Sequence, residues 1–330
     1  MKSLFRIVLT CALGLSTTVG CSETSGSAGS GGEGGSGGVA GASGNGGAGG
    51  TMESLDPLEG IGTVELVADG FDFIEGPLWR SDEQDLLFSD IPANMIYQMT
   101  PPGEVTVFRA DSGQSNGLNF DADGLLLAAE HQNRRLSRTL EDGTIVTVAS
   151  QYLGDPLNSP NDIAVRSDGT IYFTDPPFGI SPSQQVLEFN GVFRVAVDGE
   201  LTAEWEGAKS TRPNGVVLSP DEQILYVSDS SGGVMAFDVN PDGSLSAERP
   251  FIAELDVADG MAMDAAGNLF VTTHQGVEVF DPSGSPWGII EVPDGRLPAN
   301  CAFGGADART LYITAQQALY RVSLANPGLN

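Results

Sequence analysis

From Ile61 onward, apolar and polar positions alternate in short runs with the period of two expected of half-buried strands, and Gly-, Asp- and Pro-based turns separate the runs. One phrase recurs six times. A polar residue with a side-chain oxygen is followed by a small residue, an alternating strand, a tight turn, and a second strand rich in Leu, Tyr, Phe and Val. The phrases open at Glu75, Asn116, Asn161, Asn214, Asp259 and Asn300, at spacings of 41, 45, 53, 45 and 41 residues, with turns such as Asp123-Gly124, Asp168-Gly169 and Ala266-Gly267. Further short strands, such as Gly191 to Val197 and Gly233 to Val239, complete each unit. A period near 45 that holds only strands and turns predicts four-stranded blades, hence an all-β, six-bladed β-propeller. The last unit ends one strand short after Leu324, and the run from Thr63 to Val67 is free to close the ring. No helical period of normal length interrupts the pattern, which argues against an α/β fold.

Ring closure gives the repeat a chemical meaning. Corresponding residues of all blades meet around the axis, so the six opening residues should converge at one mouth. All six carry side-chain oxygen, two are anionic, and none is His or Cys. That set suits a hard cation: Ca²⁺ takes roughly 6 to 8 oxygen ligands, whereas a structural zinc site favours thiolate or imidazole. Ca²⁺ is therefore the expected ion, with Zn²⁺, Mg²⁺ and Mn²⁺ as alternatives. The competing explanation is that Asn and Asp merely satisfy the turns leading into the inner strands.

At this level of detail the chain resembles the six-bladed propellers of the senescence-marker protein, gluconolactonase and luciferin-regenerating enzyme group, in particular its bacterial gluconolactonase branch. The resemblance covers residues 62 to 324. It is carried by Glu75-Gly-Pro-Leu-Trp79, Ser115-Asn-Gly-Leu118, Glu130-His-Gln-Asn-Arg-Arg135, Ser159-Pro-Asn-Asp162, Phe173-Thr-Asp-Pro-Pro-Phe-Gly179, Arg212-Pro-Asn-Gly215, Asp259-Gly-Met261 and Phe303-Gly-Gly305. It implies one divalent cation held by Glu75, Asn214 and Asp259, with Asn161 beside metal and substrate and counted here among both ligands and catalytic residues. It also implies hydrolysis of sugar lactones such as glucono-1,5-lactone, with Asp259 helping to activate water. A metal acting as Lewis acid on the carbonyl, a positioned water and a proton acceptor together meet the needs of lactone opening.

Other positions are candidates on weaker grounds. His131 and His274 each end a second strand, which returns to the mouth; His131 is a candidate base or substrate contact. Asn116, Asn300, Glu188 and Asp175 are candidate substrate contacts, with a turn cap before Pro176-Pro177 as the alternative for Asp175. Arg134 and Arg135 are candidates to orient a hydroxylated or anionic substrate. Cys301 and the three tryptophans read as packing. Two alternatives to a lactonase stay open: a propeller phosphotriesterase or arylesterase using the same Lewis-acid site, and a non-catalytic binding propeller displayed at a membrane.

Composition narrows the partners. With 44 acidic residues against 15 Lys and Arg, the formal charge is −29, which excludes nucleic-acid binding by phosphate neutralisation. Apolar residues make up 40% of the chain, enough for a globular core. Residues 1–20 read as a secretory signal, with Lys2 and Arg6 before a short apolar run. Thr18-Val19-Gly20-Cys21 resembles a lipobox with Cys21 as the lipidated residue, and 21–60 is a Gly/Ser-rich tether leading to the 61–330 propeller. The expected protein is a monomer held by its lipid anchor alone in the bacterial envelope, on the periplasmic or surface side. Only Cys301 of the three cysteines falls in the propeller, so no disulfide framework is available.

Overall fold

The computed structural model describes residues 56–329. The signal segment, Cys21 and most of the tether lie outside the described residues. Within them the chain forms six four-stranded antiparallel sheets, one small two-stranded ribbon, and two single-turn 3-10 segments. This is the six-bladed propeller expected from the repeat. The inner strands are Ile74–Arg80, Ser115–Phe120, Ile163–Val165, Pro213–Leu218, Met261–Met263 and Asn300–Gly304, in blades 1 to 6. Blade 6 takes its outermost strand, Glu65–Asp69, from the N-terminal side; it pairs antiparallel with Ala318–Ser323 and so closes the ring. Leu58 and Ile61 already pack on the core of blades 5 and 6, so the packed body begins slightly before the expected boundary.

The alternation of apolar residues places side chains on both faces of each sheet, where neighbouring blades share them. Trp79 of blade 1 stacks on Tyr312 of blade 6 at 5.5 Å, and Phe270 of blade 5 meets Phe303 of blade 6 edge-on at 5.1 Å. Each such side chain contributes about 1.5 to 3 kcal/mol through burial, and these contacts form the cement between blades. Second-strand hydroxyls add a polar seam. Ser89 Oγ donates to the carbonyl of Asn116 at 2.7 Å, Thr174 Oγ1 to that of Asn214 at 2.6 Å, Ser228 Oγ to that of Asp259, and Thr272 Oγ1 to that of Ala299 at 2.8 Å. Each bond ties one blade to the opening of the next.

The opening residues sit where the inner strands leave regular pairing. Pairing shifts between Glu75 and Leu78, between Ser115 and Leu118, and between Pro213 and Val216. In blades 3 and 5 the paired strand starts two residues after Asn161 and Asp259. Such irregularities re-aim side chains, here toward the axis. Blade 6 differs, for Asn300 pairs regularly with Thr314. The glycines after four opening residues have a steric cause: a Cβ on Gly76 would lie 2.1 Å from the Asn116 carbonyl oxygen, and one on Gly260 2.1 Å from Asn300 Cγ. Gly76 also has φ of +54°.

Gly76→Ala should therefore cost about 3 kcal/mol or more, because backbone of the next blade must move. Gly124→Ala, at φ of +77° with nothing within 4 Å, should cost only ~1 kcal/mol from its left-handed backbone. Denaturant titration of the two variants measures the difference; equal losses would show that the close approach at the axis is not what fixes glycine there.

Candidate functional site

The upper mouth is the end of the channel at which the inner strands begin. Glu75, Asn116, Asn161, Asn214 and Asn300 are there, each less than 8% exposed, with Asp259 half-buried between blades 4 and 6. Three of the asparagines form a directed chain. Asn116 Nδ2 donates to Asn161 Oδ1 at 2.7 Å, Asn161 Nδ2 donates to Asn214 Oδ1 at 2.6 Å, and Asn214 Nδ2 donates to Ser230 Oγ at 2.9 Å. His131 Nε2 lies 3.2 Å from Asn161 Oδ1, so that oxygen faces two nitrogens. Asn300 is set apart: its Oδ1 accepts the backbone N–H of Cys301 at 2.8 Å.

The carboxylates are poorly compensated. Glu75 Oε2 accepts the N–H of Gly76 at 3.1 Å, with the Asn300 carboxamide beside the carboxylate, and Asp259 Oδ1 is buried with no hydrogen-bond partner. Burial and then the charge of Asp259 push the Glu75 carboxyl well above its ordinary range. Burial raises Asp259 to about 7, the nearby Asn214 carboxamide offsetting part of this and the Asp162 charge adding to it. Asp162 stands in blade 3 where four other blades have glycine. Its Oδ1 accepts the N–H of Ile163 at 3.0 Å and its Oδ2 that of Val216 in blade 4 at 3.1 Å, so it pins the seam, with burial raising it to about 6. No Lys or Arg pairs with Glu75 or Asp259 among the described residues.

An orphaned buried carboxylate oxygen next to a second carboxylate, ringed by carboxamides, fits a bound divalent cation. Glu75, Asp259 and Asn214 are the residues suited to hold one. Among the described residues no three His, Cys, Asp or Glu side chains group as a metal site, so the donor set depends on the carboxamides. Below the mouth the channel widens into a cavity of about 1180 Å³ that reaches up to Asp162 and Cys301 and opens at the opposite face.

Several other candidates are occupied elsewhere. Asp175 is fully buried, and its Oδ2 accepts the N–H of Asn158 at 2.7 Å in the loop before Asn161. Asp90 and Asp229 do the same for their own loops, accepting from Asp72 and Phe73 and from Arg212 and Ser231. After Asp175 come Pro176 and Pro177, which have no N–H; its Oδ1 is left without a partner, and burial raises it to about 7. Glu188 is exposed and pairs with Lys209 at 3.0 Å. Arg134 donates to the carbonyls of Leu157, Asn158 and Gln184, and Arg135 pairs with buried Glu130 at 2.7 Å, so both guanidiniums serve the scaffold. His274 is half-exposed, 3.8 Å from Asp256. His131 is buried, which lowers it to about 4 and keeps the ring neutral. Cys301 is buried beside Asp162, as a packing residue would be.

Two participants escaped the sequence reading. Ser230 lies outside the six-fold phrase, and nothing in its neighbourhood marks it. The seam hydroxyls were legible as a second repeat at the ends of the second strands, Phe88-Ser-Asp90, Phe173-Thr-Asp175, Val227-Ser-Asp229 and Val271-Thr-Thr273.

Comparison with known proteins agrees with this architecture. Residues 73–317 match the family model described as SMP-30/Gluconolactonase/LRE-like region. The chain is 33% identical over 302 residues to a gluconolactonase of Zymomonas mobilis, covering 81% of this chain and 83% of that protein. It is 26% identical to the pentonolactonase XacC of Haloferax volcanii, covering 73% and 80%. Among solved structures, the gluconolactonase XC5397 of Xanthomonas campestris superposes with a TM-score of 0.73 at 34% identity, covering 79% of this chain and 89% of that one.

The raised carboxyls set a sign for the pH dependence of the chelated protein. Asp259, Asp175, Asp162 and Glu75 all have folded values above the unfolded range near 4, so the folded state binds more protons and its stability falls as pH rises to about 7. His131, lowered to about 4, acts oppositely and loses stability below about 6.5. Four groups outweigh one. With chelator present, the thermal midpoint should fall between pH 5 and pH 8, and Asp259→Asn should flatten that fall. A midpoint that rises over this interval would mean the carboxyls are not strained.

Proposed function

The chain belongs to the SMP-30/gluconolactonase/LRE-like family, and on that premise we propose that it hydrolyses sugar lactones at the upper mouth with a divalent cation, Ca²⁺ first among the candidates. The observation that carries this reading is the unpartnered Oδ1 of Asp259, buried beside Glu75 with no basic side chain to neutralise either. When bound by Glu75, Asn214 and Asp259, the cation supplies a Lewis acid for the lactone carbonyl. The Asp259 carboxylate would accept a proton from the water that attacks the carbonyl carbon. The bond between that carbon and the ring oxygen breaks, the oxygen takes up a proton, and a hydroxy acid leaves. Asn116 and Asn300 offer amide groups to substrate hydroxyls. The lactonases among the relatives support the substrate class.

A proton-release assay on glucono-1,5-lactone, pentonolactones, aryl esters and phosphotriesters, run on chelated and metal-restored protein, tests the reading. Turnover should favour hydroxylated lactones, vanish on chelation and return with the metal. Asp259→Asn should lower kcat/KM at least ~10²-fold, the scale of a lost proton acceptor. Turnover of phosphotriesters in preference to lactones, or chelator-insensitive turnover, would refute it.

A further inference from the structure

A carboxamide has nearly the same shape either way round, so packing alone does not decide which end of an asparagine presents oxygen; its hydrogen bonds do. In the chain from Asn116 through Asn161 to Asn214, every Nδ2 points onward and every receiving Oδ1 points back. Reversing one amide would set nitrogen against nitrogen on one side and oxygen against oxygen on the other. Two groups outside the six opening positions hold this chain. Ser230 Oγ takes the Asn214 Nδ2–H, and His131 Nε2 faces Asn161 Oδ1. The Ser230 loop is itself fixed, with Ser230 N–H donating to the Arg212 carbonyl at 2.9 Å and Asp229 Oδ1 accepting from Ser231.

Two consequences follow from donor and acceptor counting. The oxygen of Asn161 has two lone pairs, and both are used, one by Asn116 Nδ2 and one by His131. Asn161 is then an orienter and not a ligand, in contrast to the sequence expectation, and Asn214 Oδ1, with one lone pair used, keeps one for a cation. His131 Nε2, facing an amide oxygen, carries the ring proton, so this nitrogen is not a proton acceptor.

We propose that His131 and Ser230 are positioning residues that lock the asparagine chain, His131 at its middle member Asn161 and Ser230 at its Asn214 end, turning Asn214 Oδ1 toward the cation, and that His131 is not the base. The inference rests on the metal reading of the mouth for its second half only; the state of the His131 ring is independent of metal.

Two measurements on the full chain test it. Long-range ¹H–¹⁵N correlation of the histidine rings, assigned with His274→Ala, should show neutral His131 protonated on Nε2 in chelated protein. A ring protonated on Nδ1 alone would overturn the proposal whether or not metal binds. Calorimetric titration with Ca²⁺ provides the second readout. Ser230→Ala and His131→Leu should weaken affinity roughly 10- to 100-fold, the usual effect of removing a group that orients a ligand, while Ser230→Thr and His131→Gln, which keep the hydroxyl and an N–H donor, should stay within about threefold. Unchanged affinity in Ser230→Ala overturns the orienting role. So does His131→Gln that binds Ca²⁺ normally but loses turnover, since that outcome makes His131 the base. Wild type that shows the Nε2–H ring yet binds no Ca²⁺, Mg²⁺, Mn²⁺ or Zn²⁺ refutes the metal reading and, with it, the ligand-orienting half.

Discussion

Two carboxylates, buried Glu75 and half-buried Asp259 with its Oδ1 shut off from water, lie near the axis of the ring with no basic side chain paired to either, and the seams between blades keep them there. Like charges in a desolvated site repel and are driven toward protonation. Left to itself the backbone would relieve this by moving apart. It is prevented by the seams: hydroxyls of Ser89, Thr174 and Ser228 bound to opening-residue carbonyls of the next blade, Asp162 bound to Val216, and glycines that let the strands approach within a Cβ of contact. The strain is a property of the closed ring, and closure depends on Glu65–Asp69 pairing with the last blade.

The site is built from groups that differ in how well the fold satisfies them. Asp162 is a carboxylate one position past the opening residue of its blade, and both its oxygens accept backbone N–H groups, so it serves as a structural pin. Asp259 has an oxygen with no protein donor at all. Asp175 is the intermediate case: it occupies the same loop-capping position as Asp90 and Asp229, its Oδ2 accepts the Asn158 N–H, and its Oδ1 has no partner, the two prolines that follow offering no N–H. Counting donors around each carboxylate separates a ligand from a pin and from a cap, where residue type alone does not.

The same distinction explains how much could be read from sequence. The propeller was legible because the blade is a repeated unit: the period, the turns and the oxygen-bearing residue before each inner strand all recur. The convergence of Glu75, Asn214 and Asp259 followed from ring closure together with the family resemblance. Partnership was not legible. Whether Arg135 meets a substrate or Glu130, whether Glu188 faces the mouth or Lys209, and whether Asp175 is open or buried depend on loops between blades, whose paths no periodicity constrains. Ser230 had no signal for the same reason, and the non-equivalence of Asn300 became visible only in the regular pairing of blade 6.

The central task of the proposed cation is to relieve the Glu75–Asp259 pair. Binding must then displace the protons those carboxyls would otherwise hold. Calorimetric titration of chelated protein with Ca²⁺ in buffers of different ionisation enthalpy measures this directly. One cation should bind per chain with release of roughly one proton near pH 6, shrinking toward zero by pH 8. Binding without proton release at pH 6, or no binding at either pH, would contradict it.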